Sequence, residues 1–147
     1  MELKGFSHFK VIAEGGMAVL YRATQTSLDR PVAIKVLKTG LLETPQARQM
    51  FDREAQIVAR LDHPNIIRVI DKGITADGMP YFVMDFIEGI TLSQAIKHGS
   101  FNTAQKLRVA IQVAKALAYA HKNNIVHRDI KPGNVLIDGE ENARVVD

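Results

Sequence analysis

The segment from Asn102 to Lys122 limits what this chain can become more than any other stretch. Asn102 and Gln105 stand in capping-box spacing, which opens a helix there. Leu107, Val109, Ala110, Ile111, Val113, Ala114, Ala116, Leu117, Ala118, Tyr119 and Ala120 then leave it almost no polar side. A helix apolar around nearly its whole circumference belongs in the interior of a larger protein. Too few residues follow to cover it. The expectation is a piece of a larger fold, or a helix that buries itself against a partner.

The sequence before that helix has the period of strands. Phe9, Val11 and Ala13 alternate with Lys10, Ile12 and Glu14, and the turn Gly15-Gly16 leads to Val19-Leu20-Tyr21. Leu28-Asp29-Arg30-Pro31 is turn chemistry, followed by the β-branched run Val32-Ala33-Ile34-Lys35-Val36-Leu37. Thr44 is the expected N-cap with Pro45 at the first helical position, and Phe51, Glu54, Val58 and Leu61 fall on one face. Asp62-His63-Pro64 stops this helix. Strands are expected over 66–74 and 79–84, joined at Asp77-Gly78. Glu88-Gly89 reads as a linker and 91–99 as a short helix. The fold class is therefore α+β, with a boundary between Asp85 and Gly89: a first lobe over 1–87 and a partial second lobe over 88–147.

Composition excludes several functions. At 147 residues the chain suits one domain, or one lobe with part of another. Its 19 basic residues are scattered and the net charge is only +3, so no nucleic-acid partner is expected. With no cysteine there is no disulfide framework, no thiolate zinc site and no thiol nucleophile, which fits a reducing cytosol and a cytoplasmic location. The first eight residues lack a signal-peptide core, and no run of about 18 apolar residues could span a membrane.

Four constellations carry chemistry, and their order matters more than any one of them. Ile12-Ala13-Glu14-Gly15-Gly16-Met17-Ala18-Val19-Leu20 is a tight strand-turn-strand whose small residues admit phosphate oxygens to backbone N–H groups; alone, such a hairpin is more often structural. Lys35 ends an alternating strand, and Glu54 stands amid Phe51, Ala55 and Val58. A carboxylate buried there needs a partner, and pairing with Lys35 would aim the ammonium at a nucleotide's phosphates. In His127-Arg128-Asp129-Ile130-Lys131-Pro132-Gly133-Asn134, Asp129 is suited to orient a hydroxyl, Lys131 to neutralise a phosphoryl group in transfer, and Asn134 to hold magnesium. His127 is given a packing role. Asp147, after Ala143-Arg144-Val145-Val146 and a hairpin turning at Asp138-Gly139-Glu140, is the second expected metal ligand.

Together these motifs resemble the protein kinase family, over about Phe9 to Asp147, and specifically the bacterial serine/threonine kinases, whose Gly-rich loop typically contains Gly-Gly-Met. The resemblance implies an antiparallel β-sheet N-lobe with one main helix, followed by a truncated helical C-lobe. It also implies transfer of the ATP γ-phosphoryl group, with Mg2+, to a Ser or Thr hydroxyl of a protein substrate. Leu20, Ala33 and Leu136 would sandwich adenine, Met84 would be the gatekeeper, and backbone groups of Asp85 and Ile87 would bind the adenine edge. Val58, Val69 and His127 would be layers of an internal apolar column. The family's first and third loop glycines are Ala13 and Ala18 here, so a stiffer loop is expected. The Phe-Gly pair and activation segment that follow in the family lie outside residues 1–147. Those residues alone are therefore expected to be catalytically inactive. The alternative reading is a nucleotide-binding or protein-interaction module that self-associates through its exposed helix.

Overall fold

The computed structural model describes residues 1–38, 44–99 and 101–146. Asp147, one of the two expected metal ligands, lies outside the described residues. The chain divides into two compact units: one of 1–60 and 68–86, the other of 61–67 and the chain from Ile87 on.

The first unit is an antiparallel sheet with one long helix. Strands β1 (Phe6–Glu14), β2 (Ala18–Gln25), β3 (Arg30–Leu37), β4 (Val69–Ile74) and β5 (Pro80–Asp85) lie in the order β1-β2-β3-β5-β4. Alternation in β3 sends Val32, Ile34 and Val36 to one face, where they form a core with Leu3, Ala23 and Val83. Ile34 is fully enclosed, so truncating it to alanine should cost roughly 2–5 kcal/mol. Helix α1 (Pro45–Ala59) begins as the sequence anticipates: Thr44 accepts a hydrogen bond from the Ala47 N–H at 3.1 Å, and Pro45 occupies the first turn. Phe51 of α1 meets Phe82 of β5 with ring centroids 5.0 Å apart.

Two expectations fail in this unit. Glu54 is exposed, not buried, because Ala55 is the one residue of α1 that is fully covered; Val58 is exposed too. The strand expected from Ile66 begins at Val69. Residues 65–67 bond elsewhere: Ile67 N–H donates to the Val145 carbonyl at 3.0 Å, and Val145 N–H donates to the Asn65 carbonyl at 2.8 Å.

The second unit holds a small sheet, β6 (Gly89–Thr91), β7 (Val135–Asp138) and β8 (Ala143–Val145), with helices α2 (Leu92–Lys97) and α3 (Thr103–Lys122). Asn102 and Gln105 form the anticipated capping box on α3. Gly89 is not a slack linker but the first residue of β6, opposite Asp138. Val109 packs with Val135, Ile137 and Ala143, and Phe101 and Val113 close over them. Helix α3 is covered only in part, in keeping with the few residues that follow it: Val109, Ala116 and Ala120 are buried, whereas Leu107 is 59% exposed and Ile111 53%. Gln112 supplies the polar bond between α3 and the sheet, its Oε1 accepting from Asn65 Nδ2 at 2.9 Å and from the Ala143 N–H at 2.7 Å.

Candidate active site

In the first unit, strand register collects most of the residues singled out for nucleotide binding. Ala13 lies opposite Leu20, Leu20 opposite Lys35, and Ala33 opposite Met84. Directly opposed residues in antiparallel strands project from the same face. Ala13, Leu20, Ala33, Lys35 and Met84 therefore share the face opposite the Val32–Ile34–Val36 core, and Ala18, two residues before Leu20, joins them. Ile12 lies at the break in register between Val11 and Ala13 and is exposed.

Gly15 and Gly16 make the turn between β1 and β2. The Gly15 N–H closes it by donating to the Ala18 carbonyl at 2.9 Å. A Cβ at Gly16 would meet nothing within 4 Å, and at Gly15 only the Ala18 carbonyl oxygen at 3.9 Å. The space over the turn is open, so its backbone can be approached closely. At the other end of the sheet, Asp85 N–H donates to the Arg68 carbonyl at 3.0 Å and the Asp85 carboxylate lies 3.5 Å from Arg68 Nε. Glu54 stands on exposed α1 in the same unit.

In the second unit, the loop before β7 brings three singled-out residues together. Asn134 is buried, and its Nδ2 donates to the Asp129 backbone carbonyl at 2.9 Å and to Asp129 Oδ2 at 3.2 Å. Lys131 Nζ lies 3.3 Å from the same Oδ2. Both side-chain hydrogen bonds that Asn134 makes to the described residues use its nitrogen, so neither engages Oδ1, the oxygen a hard cation would take. An amide oxygen is a ligand type that magnesium accepts. Pro132 to Asn134 form a 3-10 turn, and the Asn134 carbonyl accepts from the Val146 N–H at 2.9 Å. Leu136 and Ile87 belong to this unit as well.

His127 has more than the packing role read from sequence. Its Nδ1 accepts the Asp129 backbone N–H at 3.1 Å, so that nitrogen carries no proton. Nε2 is then the protonated nitrogen, and it donates to the Val146 carbonyl at 2.8 Å. The ring thereby ties the backbone of Asp129 to the end of β8. Arg128 between them has φ of 69°, a left-handed conformation that turns Asp129 away from the chain direction of its neighbours.

A sheet with one long helix, followed by a loop carrying Asp129, Lys131 and Asn134, defines a class of protein. The protein kinase domain model matches residues 6–147, and the chain belongs to that family. It is 44% identical over 139 residues to the serine/threonine-protein kinase PrkC of Bacillus subtilis, covering 94% of this chain and 21% of that protein. With the Streptomyces coelicolor serine/threonine-protein kinase PksC it shares 41% identity over 145 residues, 93% of this chain and 26% of the relative. The chain thus spans about a fifth to a quarter of these relatives. Among solved structures, the Mycobacterium tuberculosis PknI kinase domain matches with a TM-score of 0.84 and 28% identity, covering 100% of this chain and 60% of that one. Rad53 in complex with AMP-PNP matches equally well, at 0.84 and 26% identity, over 98% of this chain and 38% of that one. Among the described residues, no helix is long and apolar enough to cross a membrane.

Proposed function

We propose that this chain supplies the nucleotide-binding and catalytic-loop residues of a protein serine/threonine kinase that moves the γ-phosphoryl group of ATP to a protein hydroxyl. The observation that carries the reading is the convergence of Asn134 and Lys131 on Asp129. Asp129 accepts or orients the hydroxyl proton of the substrate, and Lys131 offsets charge on the phosphoryl group during transfer. Asn134 Oδ1, with Asp147, holds Mg2+, which when bound neutralises charge on the phosphate oxygens. Leu20 and Ala33, with Leu136, enclose the adenine ring, while Met84, Asp85 and Ile87 bound its edge. Because the Gly15 N–H is already committed to Ala18, the phosphate-facing donors fall to Gly16 and the residues after it. Lys35, aimed by Glu54, reaches the phosphates. The names of the bacterial relatives support a Ser/Thr substrate, and the AMP-PNP bound to Rad53 supports an adenine nucleotide. A cytoplasmic location goes with ATP as donor.

The test uses a complete kinase domain carrying these residues. Asp129→Asn is expected to lower turnover by roughly 10²- to 10⁴-fold, the range of general-base contributions. Lys35→Met should lower it comparably. Turnover like the parent's in either variant would overturn the assignment.

A second reading is favoured by the exposed Leu107 and Ile111. Expressed as residues 1–147 alone, the chain acts as a nucleotide-binding, self-associating module without phosphotransfer.

A further inference from the structure

Strand register places a second cation in line with Lys35. Lys35 lies opposite Phe82, and Phe82 lies opposite Lys72, so the three form a row across β3, β5 and β4 on one face of the sheet. Helix α1 sits on that row, because Phe51 packs on Phe82. Lys72 pairs with Asp52, the residue after Phe51, and its Nζ stands 5.3 Å from the centre of the Phe51 ring.

Helical geometry then separates the two acidic residues. At 3.6 residues per turn, Asp52 lies roughly 100° to one side of Phe51 and Glu54 roughly 60° to the other. Phe51 is the pivot over Phe82. One carboxylate is held at the Lys72 end of the row, and the other flank faces the Lys35 end. Apolar packing does little to fix the roll of this helix, since Ala55 is its one fully covered residue among those described and Met50, Ile57 and Val58 are exposed. The Lys72 and Asp52 side chains are 32% and 57% exposed, so the pair adds little to overall stability. Its effect is directional.

We propose that the Lys72–Asp52 pair sets the rotation of α1 about its own axis, holding Glu54 toward Lys35. The two are positioning residues for phosphoryl transfer, and the proposal rests on the Lys35–Glu54 role given above. If the pair is lost, α1 rolls about Phe51 and the Glu54 flank swings away from β3.

The chain has no cysteine, which allows a direct test on residues 1–147. A Lys35→Cys/Glu54→Cys double variant reports the separation of these positions through its bridging rate with bis-thiol reagents of graded reach. Neither charge of the Lys35–Glu54 pair remains to bias the reading. Adding Asp52→Asn or Lys72→Met should slow bridging by the short reagents about fivefold, since the rate follows the fraction of chains in the competent setting. The thermal midpoint should hardly move. Reversing the pair, Asp52→Lys with Lys72→Asp, should restore the rate and serves also if a single variant folds poorly. Unchanged bridging in both single variants, or no recovery on reversal, overturns the proposal while leaving the Lys35–Glu54 role standing. Failure of the double-cysteine parent to bridge with any reagent removes that role and the proposal with it.

Discussion

His127 accepts a hydrogen bond from the Asp129 backbone N–H on one ring nitrogen and donates one to the Val146 carbonyl from the other. Only a neutral imidazole in one tautomer can do both. His127→Phe keeps the ring's bulk but leaves the Val146 carbonyl and the Asp129 N–H without these partners. In a complete kinase domain the expected result is a turnover loss of roughly 10²-fold, the scale of an ångström-level misplacement of a reacting group. Steady-state kinetics alongside urea denaturation will check it: a variant that loses stability but keeps turnover would mean the ring serves the fold alone. The sequence shows the residue types of this loop plainly, and Asp129, Lys131 and Asn134 meet as their spacing suggests. It does not show the His127–Val146 bond, because that bond joins residues distant in the chain and no local pattern records it. Glu54 is illegible for another reason. An apolar stripe on a helix marks a face able to be buried, and how far a neighbour covers it is decided by tertiary packing.

Among the elements, the three-stranded sheet of the second unit makes the sharpest demands. A methyl group at Gly89 would collide with the backbone carbonyl of Ile137 on the neighbouring strand, and backbone cannot yield as a side-chain tip can. Gly89→Ala is expected to cost about 1–3 kcal/mol, the usual range for overpacking, measured by denaturant unfolding. Retained stability would mean that β6 can peel from β7 freely. The turn from β7 to β8 is tied by Asp138. Burial pushes its carboxyl pKa up, but the Asn142 N–H, the Arg144 guanidinium, the Glu140 N–H and the Asn142 amide together bring it below the usual 3.8. A folded-state value below the unfolded one gives stability that is fully present above the ordinary carboxylate range. That stability is lost as pH falls through the lowered value. Amide protection factors at Glu140 and Asn142, whose N–H groups donate to Asp138, should fall on acidification through that window, and Asp138→Asn should flatten the response. Helix starts and turns of this kind are the most legible features of the chain: Thr44, Asn102 and Asp77-Gly78 act as their chemistry dictates. The start of β4 is not legible, since Ile66 and Ile67 have the composition of a strand but pair with β8.

At the scale of the whole molecule, the chain carries an apolar helix that the described residues cover on one side only. Leu107 and Ile111, one turn apart on α3, are more than half exposed. Residues 1–147 are therefore expected to self-associate in sedimentation velocity, with Leu107→Gln/Ile111→Gln shifting the population toward monomer. Identical sedimentation of the parent and the double variant would show that this face takes no part. The α+β class and the change from strand to helix period near Glu88–Gly89 can be read from sequence. The passage of 61–67 into the second unit cannot. Those seven residues sit between α1 and β4, yet Asn65 Nδ2 donates to the Ala143 carbonyl, a partner 78 positions further along. A ribosome making this chain delivers both halves of the larger sheet well before that partner emerges. The stretch around Asn65 must wait, solvated and unmatched, until β8 has been synthesised, so the first unit can settle during translation before these bonds of the second can form.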